Sequence, residues 1–154
     1  MMQAGYGSKE RTVHAIGICF LHNLPFTEAN NDARIVGDTY AVMDRFGIGL
    51  REDAEFHPYW NPDPRVTADA PRLKTSFWNK SDGAFVVVVN VDWDKATAGT
   101  VEIDAEKLGL KNPKISVYDP MANRFSEIPP SAGKIRVKLD IPAALYQIIL
   151  LETK

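Results

Sequence analysis

Six short apolar segments, separated by turn sequences, lie between Leu73 and Leu151 and constrain the fold more than any other feature. They are rich in β-branched and aromatic residues and have the length of strands. The sequence Lys80-Ser-Asp-Gly83 is typical of a hairpin turn. Short strands at this spacing predict an antiparallel β-sandwich. The predicted strands are residues 73–78, 84–91, 100–103, 114–118, 135–141 and 145–151.

The N-terminal part of the chain has a different pattern, which predicts a β-α-β unit. The run from Thr12 to Leu21 is almost uniformly apolar, as expected for a strand that is buried on both faces. Apolar residues then recur at helical spacing after the candidate cap Asp32 and stop at Gly47. A second short strand is expected in residues 51–56, and the two strands would be parallel neighbours.

A group of prolines, Pro62, Pro64 and Pro71, marks a break between the two patterns. We therefore assign residues 1–71 to the β-α-β unit, which resembles the end of a (β/α)8 barrel, and residues 72–154 to the antiparallel β-sandwich. The predicted fold class is α+β, mainly β.

The composition of the chain limits the classes of function. No apolar run approaches the roughly 18 residues that span a bilayer, and the first ten residues lack the apolar core of a signal peptide. We expect a soluble chain without a membrane partner, of unknown location. The net charge of −2 disfavours nucleic acid, and one cysteine, Cys19, excludes an internal disulfide. Nucleotide and zinc motifs are missing from the sequence, so we expect no cofactor and no metal.

Several local sequences resemble the C-terminal part of bacterial glycoside-hydrolase-like proteins. In such proteins an accessory β-sandwich follows a (β/α)8 barrel, which typically needs about 250 residues. The resemblance therefore implies a carbohydrate-associated module that is not catalytic alone, with oligosaccharide as its ligand. The matching segments are FGIGL at 46–50, DAEFHPYW at 53–60, VVVN at 87–90, VYDP at 117–120 and IPAALYQIILLE at 141–152.

Asp53, Glu55 and His57 alternate along the second predicted strand, so their side chains would share one face. Glycoside hydrolases hold two carboxyl groups about 5 to 9.5 Å apart, which makes Asp53 and Glu55 the candidate catalytic residues. The same spacing is also compatible with a metal site or with a solvated strand edge. The residues alone leave these alternatives open.

Polar and aromatic residues close to these carboxylates are the candidates for substrate binding. His22 and Asn23 follow the first predicted strand, where barrel proteins place active-site groups. Tyr59 and Trp60 offer rings on which a sugar can stack, and His57 lies beside them in the sequence. The remaining tryptophans are expected to pack in the core or on a hairpin: Trp78 and Trp93.

Two hypotheses about function follow from these patterns. In the first, the chain is a structural module whose sugar contacts come from the residues named above. In the second, another polypeptide completes a catalytic barrel, and Glu55 or Asp53 acts as the acid or base. Unpaired strand edges favour association, so a homodimer or a barrel-completing chain is a possible partner in either case.

Overall fold

The computed structural model describes residues 8–48, 53–129 and 133–153, and these contain two helices and nine strands. The helices are α1, Lys9–Leu21, and α2, Ala33–Phe46. The strands are β1 Glu55–His57, β2 Val66–Ala68, β3 Leu73–Lys80, β4 Gly83–Asn90, β5 Thr97–Asp104, β6 Lys114–Asp119, β7 Arg124–Ile128, β8 Lys134–Ile141 and β9 Tyr146–Glu152.

The strands form two antiparallel sheets that pack as a sandwich. The larger sheet has the order β1-β3-β4-β9-β6-β7, and the smaller sheet has the order β2-β5-β8. Val87 of β4 lies opposite Ser76 on one side and Ile148 on the other, so β4 is an interior strand of the larger sheet. Every residue of β4 is buried, because one face of the strand packs under α1 and the other faces the smaller sheet.

The helices cover the outer face of the larger sheet. The ring of Phe20 in α1 lies 5.6 Å from those of Phe85 and Tyr146 and 6.0 Å from that of Trp78, measured between centroids. All four rings are nearly or fully buried. This aromatic contact fixes α1 across three strands, because each partner ring comes from a different one.

Both ends of α2 lie where the sequence predicts them. The Asp32 side chain accepts hydrogen bonds from the backbone N–H groups of Arg34 and Ile35, which satisfies the free donors of the first turn. The helix ends at Gly47, whose φ of 85° is left-handed. The Lys80 ammonium donates to the carbonyl of Phe46 and so holds the last turn against β3.

The predicted strand at residues 12–21 is wrong, because this segment lies within helix α1. Ser8 caps the start of this helix, and its side chain accepts a hydrogen bond from the N–H of Arg11. Its buried residues recur with the period of a helix: Thr12, Val13, Ile16, Gly17, Phe20 and Leu21. Ala15, Ile18 and Cys19, on the less buried side, are also apolar, which hid this period. At ten residues the run was already longer than a typical strand.

The predicted parallel pair of strands is also wrong. The second strand is Glu55–His57, and it pairs antiparallel with β3. Residues 51 and 52 of the predicted segment lie outside the described residues. The six predicted strands of the sandwich are confirmed as β3, β4, β5, β6, β8 and β9, and the mainly β, α+β class is confirmed. Two strands were missed, β2 and β7.

Candidate functional site

His22, Tyr59 and Trp60 form a surface cluster, which we call the aromatic platform. The rings of His22 and Trp60 are stacked, with centroids 5.3 Å apart and 24° between their planes. The Tyr59 ring meets both edge-on, at 5.4 Å from His22 and 5.3 Å from Trp60. Trp60 is 55% exposed. The fold thus joins the residue after α1 to the loop after β1 and leaves one broad indole face open to solvent.

Ser76 of β3 holds the aromatic platform in place. Its hydroxyl donates to the carbonyl of Leu21, 2.9 Å away at the end of α1, and accepts from the N–H of Tyr59 at 3.0 Å. The Ser76 residue is completely buried, so water does not compete for these bonds. One hydroxyl therefore connects α1, β3 and the loop that carries Trp60. Nothing in the sequence pattern points to this role.

The side chains of β1 point to two different faces of the larger sheet, with Phe56 on one face and Glu55 and His57 on the other. The Phe56 ring lies 4.8 Å from that of the buried Trp78 and 6.4 Å from that of Trp60, so it extends the platform into the helix-covered face. Neighbouring side chains on a strand point to opposite faces. Glu55 and His57 accordingly lie on the face that looks toward the smaller sheet, and the sequence predicts only that the two side chains share a face.

Glu55, His57, Asp63 and Arg65 form a charged cluster on that face. Arg65 donates to Asp63 from Nη2 at 2.7 Å and from Nε at 3.0 and 3.1 Å. His57 lies between the carboxylates, with Nδ1 3.4 Å from Asp63 and Nε2 3.5 Å from Glu55. The His57 ring stacks on Phe77, with centroids 4.5 Å apart. The hydrogen bond from Arg65 holds the pKa of Asp63 below its ordinary value, which keeps this carboxyl group ionised.

A cavity of about 440 Å³ opens beside the charged cluster, between the β1–β3 edge and β2. This volume is in the usual range for small-molecule sites. Neither Asp53 nor Glu55 is among the residues that line it. Lining residues that can hydrogen-bond include His57, Tyr59, Asp63, Thr67, Lys74 and Thr75.

Asp53 and Asn23 lie at other points of the surface. Asp53 precedes β1, is exposed, and accepts a hydrogen bond from the Ser81 hydroxyl at 3.1 Å in the β3–β4 turn. Asn23 has a φ of 52° and lines an apolar pit of about 290 Å³ together with Leu24 and Tyr40. Of the predicted site residues, Glu55 therefore contacts His57. His22, Tyr59 and Trp60 contact one another, and Asn23 directly follows His22 in the chain.

The two tryptophans that were expected to pack in the core or on a hairpin have different environments. Trp78 is 4% exposed and lies in the core, as predicted. Trp93 is 69% exposed, so it does not pack in the core. Trp93 follows the end of β4, and its ring lies 4.2 Å from that of His14 in α1 rather than inside the sandwich.

Asp63 and Arg65 were missed as candidate site residues. They lie two positions apart beside Pro62 and Pro64, where the rigid backbone keeps the carboxylate and the guanidinium close together. The Asp-Pro-Arg sequence at residues 63–65, in a proline-rich turn, was the signal that could have found them.

The described ranges 8–48, 53–129 and 133–153 lack both a candidate metal cluster and a membrane-spanning helix. They contain no group of three or more His, Cys, Asp or Glu residues arranged to hold a metal ion. Neither of their helices is long and apolar enough to cross a membrane.

The chain matches one known family over most of its length. Residues 37–145 match the family described as "Glycoside hydrolase 123, C-terminal domain". This range contains α2 from its fifth residue, β1 to β8, and the loop that carries Tyr59 and Trp60. A search of curated protein sequences gave no significant match.

Several solved glycoside hydrolase structures contain a region with a fold similar to that of this chain. A putative alpha-N-acetylgalactosaminidase from Bacillus halodurans aligns with 95% of this chain at a TM-score of 0.53 and 10% identity, and the match spans 32% of that protein. A maltogenic alpha-amylase from Thermotoga neapolitana aligns with 98% at a TM-score of 0.54 and 13% identity, spanning 38%. A GH30 endoxylanase from Clostridium papyrosolvens aligns with 96% at a TM-score of 0.50 and 12% identity, spanning 40%.

These three structures share the fold of this chain, and the chain spans less than half of the length of each. Together with the family match, they confirm the resemblance to the C-terminal part of a glycoside-hydrolase-like protein.

Proposed function

Because this chain belongs to the family of glycoside hydrolase 123 C-terminal domains, we propose that it is a non-catalytic module that binds oligosaccharide at the aromatic platform. The observation that carries the proposal is the exposed Trp60 ring, stacked on His22 and held by the buried Ser76 hydrogen bonds. A flat indole face at a rigid position is suited to a sugar, because pyranose rings present C–H groups on one face.

The polar neighbours of Trp60 supply hydrogen bonds to the hydroxyl groups of the sugar. His22 and Tyr59 contact the Trp60 ring directly, and Asn23 follows His22 at an exposed position. His57 lines the nearby cavity, which also includes Tyr59. We therefore assign the stacking contact with the sugar ring to Trp60. Hydrogen bonding to the sugar hydroxyls is assigned to the neighbouring polar residues His22, Asn23, His57 and Tyr59.

The surroundings of Asp53 and Glu55 favour a non-catalytic module. A glycosidase needs two carboxyl groups on either side of one bond, inside a site that excludes water. The side chain of Glu55 is 73% exposed and contacts His57. Asp53 is exposed and bonded to the β3–β4 turn. Neither carboxylate lines the cavity that opens beside His57.

The test follows the side-chain N–H signals of the three tryptophans by NMR during titration with maltohexaose, xylohexaose and N-acetylgalactosamine. We expect the Trp60 signal to shift saturably with at least one of them, while the signal of the buried Trp78 stays fixed as an internal control. Trp60→Ala should weaken binding about fivefold, since an aromatic contact contributes about 1 kcal/mol, and Trp60→Phe should restore part of it. Unchanged affinity in Trp60→Ala would remove the platform from the proposal.

The alternative function is an active glycoside hydrolase in which another polypeptide completes the barrel. The contact between Glu55 and His57 supports it, because a neighbouring imidazole can exchange a proton with a carboxyl group. In that case Glu55→Gln or Asp53→Asn should abolish activity of the reconstituted pair without loss of assembly. Sedimentation of the chain alone distinguishes a homodimer from a monomer that awaits such a partner.

A further inference from the structure

Trp93 is a large apolar side chain that the fold leaves outside the core. At 69% it is more exposed than any other large hydrophobic residue in the described part of the chain. Its only ring contact in those ranges is with His14, whose centroid lies 4.2 Å away at an interplanar angle of 55°. Since the ring adds little to the core, its faces are largely available to a ligand.

The backbone around Trp93 is fixed by hydrogen bonds on both sides. The Asp92 carboxylate accepts from the N–H groups of Asp94 at 2.9 Å and Lys95 at 3.1 Å. The buried Asn90 accepts from the N–H of Asp92 at 2.9 Å and from the hydroxyl of Thr97 at 3.0 Å. Trp93 therefore lies on a rigid turn, so little conformational entropy of this loop would be lost when a ligand binds.

The Asn90 amide also anchors this turn to the β8–β9 loop. It donates to the carbonyls of Lys95, Ile141 and Pro142 at 2.8, 3.0 and 3.2 Å. The N–H of Ala144 in that loop donates to the carbonyl of Asp92 at 2.8 Å. The surface under Trp93 thus combines two loops that are far apart in the sequence.

His14 is held at a fixed angle beneath Trp93. Its Nδ1 lies 2.8 Å from the carbonyl oxygen of Ala144. A carbonyl can only accept, so Nδ1 carries the hydrogen of this bond, and Nε2 takes no part in it. Asp92, which precedes Trp93, has a carboxylate oxygen 4.0 Å from Nε of Arg72. The exposed ring is therefore in contact with an imidazole and follows a carboxylate in the chain, and both groups can form hydrogen bonds with sugar hydroxyls.

We propose that Trp93 and His14 form a second carbohydrate-binding site, which takes one pyranose ring of an oligosaccharide on the exposed indole face. The proposal rests on the proposed function, because it assumes that the module binds carbohydrate. The two sites are separate. His14 and His22 are eight positions apart in and directly after α1, which corresponds to about 12 Å along the helix axis.

The same NMR titration tests this site independently of the aromatic platform, because each exposed tryptophan has its own N–H signal. Trp60→Ala and Trp93→Ala, each lacking one signal, assign the spectrum. We expect the Trp93 signal to shift saturably with the oligosaccharide that shifts Trp60, and to keep shifting in Trp60→Ala. Trp93→Ala should keep the wild-type urea midpoint, since the ring lies outside the core.

Each pattern of shifts gives a definite answer. A Trp93 signal that stays fixed while Trp60 moves would overturn the second site and leave the proposed function intact. Movement of Trp93 alone would support the second site and refute the aromatic platform, and no movement of either would refute both. As a further check, His14→Ala should weaken the Trp93 response at least threefold without changing that of Trp60, and an unchanged Trp93 response would remove His14 from the site.

Discussion

Replacing Phe20 by alanine should destabilise the protein strongly, because this ring joins α1 to the larger sheet. Phe20 is 2% exposed, and its centroid lies 5.5 to 6.0 Å from four other rings, those of Phe26, Trp78, Phe85 and Tyr146. Truncation of a buried phenylalanine costs about 3–5 kcal/mol, part of it for the cavity that remains. Aromatic pairs add about 0.5–1.5 kcal/mol each, so we expect a loss near the upper end, about 4–5 kcal/mol.

The measurement is urea unfolding followed by circular dichroism and by tryptophan fluorescence. Phe125→Ala is the matched control, because Phe125 lies on edge strand β7 and is 36% exposed. Its loss should cost about 1 kcal/mol. If Phe20→Ala does not fold, Phe20→Leu should still fold with a loss of about 1–2 kcal/mol. A cost for Phe20→Ala below about 2 kcal/mol, or equal to that of Phe125→Ala, would refute the packing of α1 described above.

Two further predictions concern the charged cluster and the β3–β4 turn. Because Arg65 lowers the pKa of Asp63, ionised Asp63 stabilises the folded state above the unfolded pKa of about 3.9 and this stabilisation is lost as the pH falls through the folded pKa. The difference in urea midpoint between wild type and Asp63→Asn should therefore shrink from pH 6 to pH 3, and a constant difference would contradict it. Gly83→Ala should lower the melting temperature, because the new Cβ would lie 2.5 Å from the carbonyl oxygen of Leu151. Gly37→Ala in α2 should instead raise the melting temperature, because outside the local helix backbone and the two adjacent residues no atom lies within 4 Å of the new Cβ. A change of the same sign in both variants would contradict this prediction.

The strands of the sandwich could be predicted because their information is local. In β8 the residues Ile135, Val137, Leu139 and Ile141 are buried and their neighbours are exposed, which is the alternation visible in the sequence. In α2 the cap at Asp32 and the glycine at 47 define both ends. Such signals depend on a few neighbouring residues, so they do not depend on how distant parts of the chain pack.

The candidate site could be predicted only in part, for the opposite reason. The proximity of Glu55 and His57 follows from the period of a strand. The platform depends instead on Ser76, which lies 17 residues from Tyr59 and 55 from Leu21 along the chain. A local sequence pattern cannot predict a hydrogen bond between residues that are so far apart in the chain.

By itself the sequence determined a mainly β module with a capped helix and a hairpin at residues 80–83, because propensity, period and turn chemistry act over short distances. Only the tertiary structure decided that residues 12–21 are helical, since both a buried strand and a buried helix satisfy an apolar run. It also decided which tryptophan is buried. Trp78 lies under α1, whereas Trp93 lies past the end of β4, and burial depends on what packs above a residue rather than on the residue itself.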